Sequence, residues 1–313
     1  MLLLTGATGL VGSALLSRLL AEDAQIRCLA RDPRRLGAQR VRVQIALGDL
    51  TDPPSFRNAL RGVHTVVHLA ASIRDQPRGS IEELNGIATW RMVEAAERQG
   101  VERFVFFSAL GASTHHRARL LRAKALAEQA VHEARMRSIV FAPSIVYAPG
   151  DPWLALLERM ALLPVMPVSG RGRALFQPIW ADDVAACVIA ALRAADTEPA
   201  RPGANEAPAR PAPATAGAAH ARYELAGPET LSHTEIVRTL LRSLRRSRPL
   251  VHVPTPFVSR TLRALERLAG PNALATWDEA ELMETSMTSA RGAADAEALG
   301  VRPQRLAAVL GNA

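Results

Sequence analysis

The chain is short of the residues that most often announce a chemistry. Of 313 residues two are tyrosine, two are cysteine and one, Lys124, is lysine; every other strongly basic side chain is arginine. The two cysteines, Cys28 and Cys187, each lie in an apolar stretch. They exclude a disulfide framework or a cysteine-rich metal site and read as buried thiols in a reducing compartment. Aromatic residues make up only 4% of the chain, and no groove-reading motif accompanies the net charge of +8, which argues against nucleic acid as a partner. No apolar run approaches the roughly 18 uninterrupted residues that a membrane span needs. The first motif begins almost at Met1, so no leader is expected. The expectation is a cytoplasmic chain, with peripheral contact at the inner face of the membrane left open by the arginines of its C-terminal third. What is abundant is apolar side chain, at 48% of residues, enough to core one large domain or two ordinary ones.

The organising stretch is MLLLTGATGLVG, residues 1–12. An apolar run, Leu2 to Leu4, leads to Gly6, Gly9 and Gly12 at three-residue spacing, then to a helical pattern ending near Ala21. Strand, glycine turn and helix start together make a phosphate-binding loop. Gly6 permits the turn, Gly9 lets backbone approach a pyrophosphate, and Gly12 lets helix and strand pack closely. The helix start offers unpaired N–H groups and the positive end of its dipole. Thr8, Leu10 and Val11 complete the expected lining, and the implied ligand is a dinucleotide.

Further strands are expected at 24–30, 41–46, 63–69, 101–107 and 138–142, alternating with helices that include 81–99 and 116–134. That alternation predicts an α/β fold with a doubly wound parallel sheet, binding its ligand beyond the carboxyl ends of the strands. The candidate contacts fall at those ends. Arg31 directly follows the second strand, with Arg34 and Arg35 close behind. Arginine here suits a 2′-phosphate, so NADP(H) is favoured and NAD(H) is the alternative. Asp49 and Leu50 follow the third strand, where the carboxylate either accepts a hydrogen bond from an adenine amino group or caps a turn. Ala70 and Ala71 follow the fourth and are small enough for a cofactor to lie against the strand tip. His64 and His68 read as ordinary strand histidines. Ser108 ends the fifth strand; Pro143 and Ile145 follow the sixth.

These stretches, TGATGLVG, GDLTD, HLAA, FVFFSALGAS, PSIVYAPGD, FQPIWADDVA and YELAGPETLS, resemble the short-chain dehydrogenase/reductase superfamily in its extended and atypical branches. The nearest flavour is the NAD(P)H-binding group with relatives of a respiratory complex I accessory subunit and proteins associated with coenzyme Q synthesis. The resemblance implies a Rossmann-type core over 1–150 and a C-terminal region, 151–313, that contributes a small substrate lobe. It also implies a catalytic serine, tyrosine and lysine, the last two spaced Y-x-x-x-K on one helical face. The lysine would hold the nicotinamide ribose and lower the tyrosine pKa, so that the phenol trades a proton while hydride moves. Ser108 matches the serine and Lys124 the lysine. At the tyrosine position stands Leu120, which neither donates nor accepts a proton. Cofactor binding survives that loss; ordinary carbonyl reduction does not follow. His115, His116 and Tyr147 are the alternative proton donors, and a quinone or flavin acceptor evades the need for one. Three readings result: an NAD(P)H-dependent oxidoreductase on an apolar or quinone-like small molecule; a non-catalytic NADPH-binding structural or regulatory subunit of a membrane-associated assembly; and, less favoured, a sugar-nucleotide epimerase or dehydratase.

Past residue 150 the pattern carries less chemistry. An apolar helix is expected at 153–163. Trp153, Met160, Met166, Phe176 and Trp180 either line an apolar cleft or pack a core. Asp182 is expected at the start of a helix running to Leu192. Residues 196–221, rich in alanine and proline, read as a disordered insertion before a strand at 223–225. Residues 231–244 and 256–269 read as basic amphipathic helices facing solvent, an anionic membrane or an acidic partner. The tail, 273–313, adds short helices.

Overall fold

Alternation along each strand decides the layering. In β1 (Leu2–Thr5), Leu3 and Leu4 are both fully buried, but on opposite faces. Leu4 packs with Leu15 and Leu16 of α1 (Leu10–Ala21), whereas Leu3 joins a separate core on the other side. The computed structural model describes residues 1–197, 220–254 and 276–311. Its next elements are β2 (Ile26–Ala30), a kinked 3-10 stretch Pro33–Arg42, β3 (Gln44–Leu47), α2 (Pro53–Arg57) and β4 (Thr65–His68). A π-helical turn, Glu83–Ile87, leads into α3 (Ala88–Arg98), followed by β5 (Arg103–Phe107), α4 (Arg119–Glu133) and β6 (Arg137–Pro143). Then come β7 (Val146–Tyr147), α5 (Pro152–Met160), β8 (Met166–Ser169), β9 (Leu175–Phe176), β10 (Ile179–Trp180), α6 (Ala181–Thr197) and β11 (His220–Leu225).

Seven strands form one parallel sheet in the order β3-β2-β1-β4-β5-β6-β11. Val66, Phe104 and Phe106 face the helices α2, α3 and α4; Val67, Val105 and Phe107 face α1 and α6. Strands buried on both faces are why the sequence shows continuous apolar runs such as FVFF rather than strict alternation. Strand order reverses between β1 and β4, which opens a crevice at their carboxyl ends. This is the doubly wound Rossmann-type fold. Across one face, Arg18 of α1 clamps Asp182 of α6 through both carboxylate oxygens, at 2.8 and 2.5 Å. Asp182 thus lies in the first turn of its helix, as expected, with an ionic partner as well.

The remaining elements are β12 (Leu231–Ser232), α7 (His233–Ser243), β13 (Leu250–Val253), α8 (Trp277–Leu282), α9 (Ala294–Ala298) and α10 (Leu306–Gly311). Of these, β12, α7, β13 and α10 join β7 to β10 in a small lobe built on three two-stranded pairings and the core of Tyr147, Leu154, Met166, Phe176, Ile236 and Leu240, whereas α9 packs on the main sheet through Ala296 and α8 packs over the start of α4 through Leu282. Of the two readings of the lobe's large apolar side chains, core packing holds: Met166 and Phe176 are wholly buried in this core, and Trp153, Met160 and Trp180 pack against it. The expected insertion also contracts at both ends. Asp196 and Thr197 finish α6, while His220 and Ala221 begin β11, whose pairing with β6 gives their backbone groups partners. Residues 198–219, and the helix expected at 256–269, lie outside the described residues. The third strand starts later than expected, because Val41 belongs to the 3-10 stretch and is exposed.

Candidate functional site

The loop between β1 and α1 is fixed by backbone touching backbone. Gly6 has φ +72°, and a Cβ there would lie 2.6 Å from the Ala70 nitrogen at the tip of β4. A Cβ on Gly12 would lie 2.0 Å from the Gly6 carbonyl oxygen, so the helix can close on the loop only with glycine there. Gly9 differs. Its φ of −81° is ordinary, and its added Cβ would stand 3.2 Å from the Gly6 oxygen. The fold alone demands glycine much less at this position, which leaves ligand approach as its use. Gly9 is also the N-cap and supplies no side-chain cap; no acid occupies the first turn. The first intrahelical bond runs from Ser13 N to Gly9 O at 2.9 Å, so the N–H groups of Leu10, Val11 and Gly12 precede the ladder. Thr8 stands half-buried beside them.

Charge of both signs collects at the ends of β2 and β3. Arg31 is exposed, and its neighbour Asp32 is used locally, accepting from the Arg34 N–H at 3.0 Å to cap the 3-10 stretch. Arg34 and Arg35 are exposed on that stretch. Asp49 both caps and faces outward. Its Oδ1 accepts from the Thr51 N–H and hydroxyl at 3.0 and 2.9 Å, whereas Oδ2 has no hydrogen-bond partner and meets only the Arg78 guanidinium, at 3.5 Å. Burial alone would raise this carboxyl. The Thr51 bonds and the nearby Arg31 charge outweigh that and hold it below the ordinary carboxylate range. Leu50 is half-buried beside it, and Ala70 and Ala71 end β4 opposite, Ala70 N–H donating to the Thr5 hydroxyl at 3.3 Å.

The opposite end of the crevice is built around β5. Ser108 is buried, its N–H bonded to the Phe141 carbonyl at 2.8 Å, and its hydroxyl has no partner. Lys124, 5% exposed, reaches the same strand end from α4: Nζ donates to the Phe107 carbonyl at 2.6 Å and sits 5.0 Å from the Phe106 ring centre. Burial lowers its pKa to about 8. His68 is buried between the Thr5 and Thr89 hydroxyls, and burial, helped by the Lys124 charge, pushes it down to about 3, so it stays neutral and structural. One turn before Lys124, Leu120 packs against a buried cluster of Ala109, Ala118, Leu121 and Leu282, as do Met283 and Met287. Pro143 closes β6, and Ile145 packs against the lobe.

The alternative proton donors sit in other surroundings, and the buried Tyr147 hydroxyl has no hydrogen-bond partner among the described residues. His116 Nδ1 accepts from the Ala118 N–H at 2.9 Å, just ahead of α4, and His115 is exposed beside Thr114. Tyr147 is fully buried in the lobe core rather than beside a substrate loop, and burial and nearby carboxylates raise its pKa.

Sequence reasoning missed the tail. α8 opens with a capping box, Thr276 and Glu279, and is tied to the loop after β4 by Arg74–Glu279 at 2.6 Å. Arg119 at the start of α4 bridges Glu82, Asp75 and Asp278 at 2.6, 3.0 and 3.5 Å. Its hydrogen bonds pull Glu82 down to about 2. Past α8 the chain crosses the ends of β5 and β6: the Ser144 hydroxyl donates to the Met287 carbonyl at 2.6 Å, and Met287 N–H donates to Leu175 O at 2.8 Å. The T-W-D-E cap was the visible signal; its destination was not.

A helix start with free N–H groups, a carboxylate oxygen and a hydroxyl without hydrogen-bond partners, and a buried ammonium all lie at the carboxyl ends of one parallel sheet. The set fits a dinucleotide, and it defines an α/β protein of the short-chain dehydrogenase/reductase type with an atypical active site. The chain belongs to the NAD dependent epimerase/dehydratase family, whose description matches residues 2–202. It is 27% identical over 262 residues to the mitochondrial NADH dehydrogenase [ubiquinone] 1 alpha subcomplex subunit 9 of Arabidopsis thaliana, covering 80% of this chain and 60% of that protein. It is 29% identical over 192 residues to the ceramide reductase of Caulobacter vibrioides, covering 61% of this chain and 60% of that one. The chain therefore spans less than two thirds of these relatives' own lengths. Among solved structures, an NADPH-dependent quinone oxidoreductase of Escherichia coli, complexed with NADPH, superposes with a TM-score of 0.72 over 100% of this chain and 99% of that one, at 16% identity. This last likeness is one of fold.

Proposed function

We propose that the protein binds NADPH along the crevice and reduces an apolar, quinone-like acceptor. One observation carries the reading: a buried ammonium and a partner-free hydroxyl, Lys124 and Ser108, share a strand end, while the phenol position is an apolar wall of Leu120, Met283 and Met287. In this reading the N–H groups around Gly6, Thr8, Gly9, Leu10, Val11 and Gly12 hold the pyrophosphate. Arg31 takes the 2′-phosphate, since Asp32 is engaged in its cap and would repel that group less than a free acid aimed at the ribose. Asp49 receives the adenine amino group; Leu50, Ala70 and Ala71 flank the adenosine. Lys124 keeps N–H groups beyond the one bonded to Phe107 for the nicotinamide ribose, with Pro143 and Ile145 at the far side. When bound, the cofactor supplies a hydride. Ser108 donates a hydrogen bond to the acceptor oxygen, and the Leu120 wall receives an apolar body and excludes water. Hydride addition to a quinone leaves a stabilised hydroquinone anion that takes its proton from solvent on release, so it needs no phenol in the site.

Leu120 also favours a second reading, a non-catalytic NADPH-binding subunit of a membrane-associated assembly; the Arabidopsis relative is named as a subunit of an NADH dehydrogenase. NADPH titration run beside NADPH oxidation with a panel of quinones separates the two. Tight binding with turnover supports the oxidoreductase, tight binding without turnover supports the subunit, and no binding refutes both.

A further inference from the structure

The turn after α5 exposes an apolar tip in the middle of uncompensated positive charge. Leu162, Leu163, Pro164 and Val165 are four successive exposed residues, with Leu162 63%, Leu163 48% and Val165 41% accessible. Leu162 and Leu163 form no part of any buried cluster. The base of the tip is held by arginine. The Ala161 carbonyl accepts from Arg246 Nη1 at 3.2 Å and from Arg248 Nε at 3.3 Å. β13 pairs in parallel with β8, bringing Leu250 opposite Met166, so the segment carrying Arg245, Arg246 and Arg248 runs beside the tip. Arg159, in the last turn of α5, and Arg245, at φ +53° after α7, are both exposed.

Among the described residues none of Arg159, Arg245, Arg246 and Arg248 is in an ion pair. The sequence explains why. Residues 159–181 carry three arginines and no acid, and residues 236–254 carry five arginines and no acid. The acids next to these stretches include Glu158, Asp182 and Glu235; Asp182 pairs with Arg18, and Glu235 is engaged in the capping box that starts α7. Across the rest of the described chain arginines find carboxylates readily, as Arg18, Arg74, Arg119 and Arg222 do. Here, among the described residues, they have no carboxylate partner and surround a run of four exposed apolar residues.

We propose that this tip and its arginines form a peripheral docking surface for an anionic lipid bilayer. Leucine and valine side chains enter the boundary of the acyl region while guanidinium groups meet lipid phosphates, which they recognise in a bidentate manner. Charge complementarity selects the lipid surface. An acidic protein face would match the arginines but would not call for a projecting apolar tip at their centre. Contact is peripheral, because among the described residues no helix is long and apolar enough to cross a membrane. The surface lies on the lobe and uses no residue of the cofactor site, so it stands independently of the proposed reaction.

Sedimentation with vesicles of phosphatidylcholine alone, or with roughly 30% phosphatidylglycerol, tests it on the full chain. Binding is expected to the anionic vesicles, to be weak on the neutral ones, and to fall in about 0.5 M salt. Two double variants are compared, Leu162→Ser with Leu163→Ser and Arg159→Gln with Arg245→Gln; each is expected to bind at least roughly tenfold more weakly, about fivefold per charge removed in the second. Leu47→Ser, an equally exposed leucine on the edge strand β3, is expected to bind as the parent does. All three should keep the parent melting temperature and NADPH affinity. No binding to anionic vesicles at low salt overturns the proposal. Loss in the arginine pair without loss in the leucine pair also overturns it, in favour of a simple polyanion, as does an equal loss in Leu47→Ser.

Discussion

Replacing Lys124 with methionine should move stability and cofactor affinity in opposite directions. Burial holds the ammonium at about 8 against an ordinary 10.5, so keeping it charged at neutral pH costs the native state about 3 kcal/mol. The sign follows from proton counting. Between those two values the unfolded chain is protonated and the native one is not, so stability rises with pH across that window; below about 8 both states are charged and the whole cost is present. Methionine removes the cost and keeps most of the volume. It also forfeits the bond to the Phe107 carbonyl and the contact with the Phe106 ring, together about 1–2 kcal/mol. The net expectation at pH 7 is a gain of about 1–2 kcal/mol, a rise of roughly 1.5–3 °C in melting temperature for a chain of this length, which shrinks or reverses by about pH 10. NADPH should bind about 10- to 100-fold more weakly, the worth of one or two hydrogen bonds from a charged donor. Thermal melts without cofactor at both pH values, paired with calorimetric titration, read out both quantities. A variant that melts lower at pH 7 and binds NADPH as tightly as before would refute the reasoning and make Lys124 a core ion.

Gly12→Ala should destabilise the fold by about 3 kcal/mol in chemical denaturation, because its Cβ meets the Gly6 carbonyl at 2.0 Å. Gly9→Ala should fold normally and lose NADPH affinity in the same titration; the reverse order of effects would overturn the roles given to the two glycines. Arg31→Ala should weaken NADPH by about 10- to 100-fold and leave NADH unchanged, measured by competition; equal losses would remove the 2′-phosphate from Arg31. Leu120→Tyr restores a phenol one helical turn from Lys124 and should raise NADPH-dependent reduction of a simple aldehyde by about 10²- to 10⁴-fold over the parent. No gain would show that the crevice cannot bring a carbonyl to that face.

How much of this could be read beforehand depended on whether the information was local. The glycine loop was legible because its constraints act within twelve residues, and the structure adds only that Gly12 meets the Gly6 carbonyl rather than the strand. The sheet was legible because parallel strands buried on both faces leave short runs such as VHTVVHL, which holds β4 at Thr65 to His68, and FVFF, Phe104 to Phe107. Strand and helix ends were less so, as with Val41, whose apolar side chain reads as strand but sits exposed in a 3-10 stretch. The lobe aromatics were ambiguous for a physical reason: Met166 and Phe176 have the same composition whether they line a cleft or fill a core, and only the packing of α7 and α10 onto them decides. The tail was illegible because its role rests on ion pairs across great sequence separation. Nothing near Glu279 indicates that Arg74 will be its partner.

That same tail bears on the meaning of Leu120. A phenol lost by chance from an active site would leave a polar hollow, with groups once bonded to the hydroxyl still facing it. Around Leu120 the neighbours are instead Ala109, Ala118, Leu121 and Leu282, with Met283 and Met287 at the edge. Two of these come from α4 or just before it, but Leu282, Met283 and Met287 are brought from more than 150 positions away by a helix that Arg74 and Arg119 pin in place. Arg119 is the residue beside Leu120 and directs α8 onto it, so the wall and the anchor of its covering segment sit on one turn of α4. The apolar side chains gathered at this position are therefore drawn from both α4 and the tail. Flexible methionine side chains at its rim suit a flat or branched apolar body of variable shape better than a sugar nucleotide, which would call for hydrogen-bond partners at the same place. The Ser108 hydroxyl, without a hydrogen-bond partner, adds one polar group beside that apolar surface, enough to meet one carbonyl oxygen of a quinone-like body whose hydrocarbon frame rests on the wall.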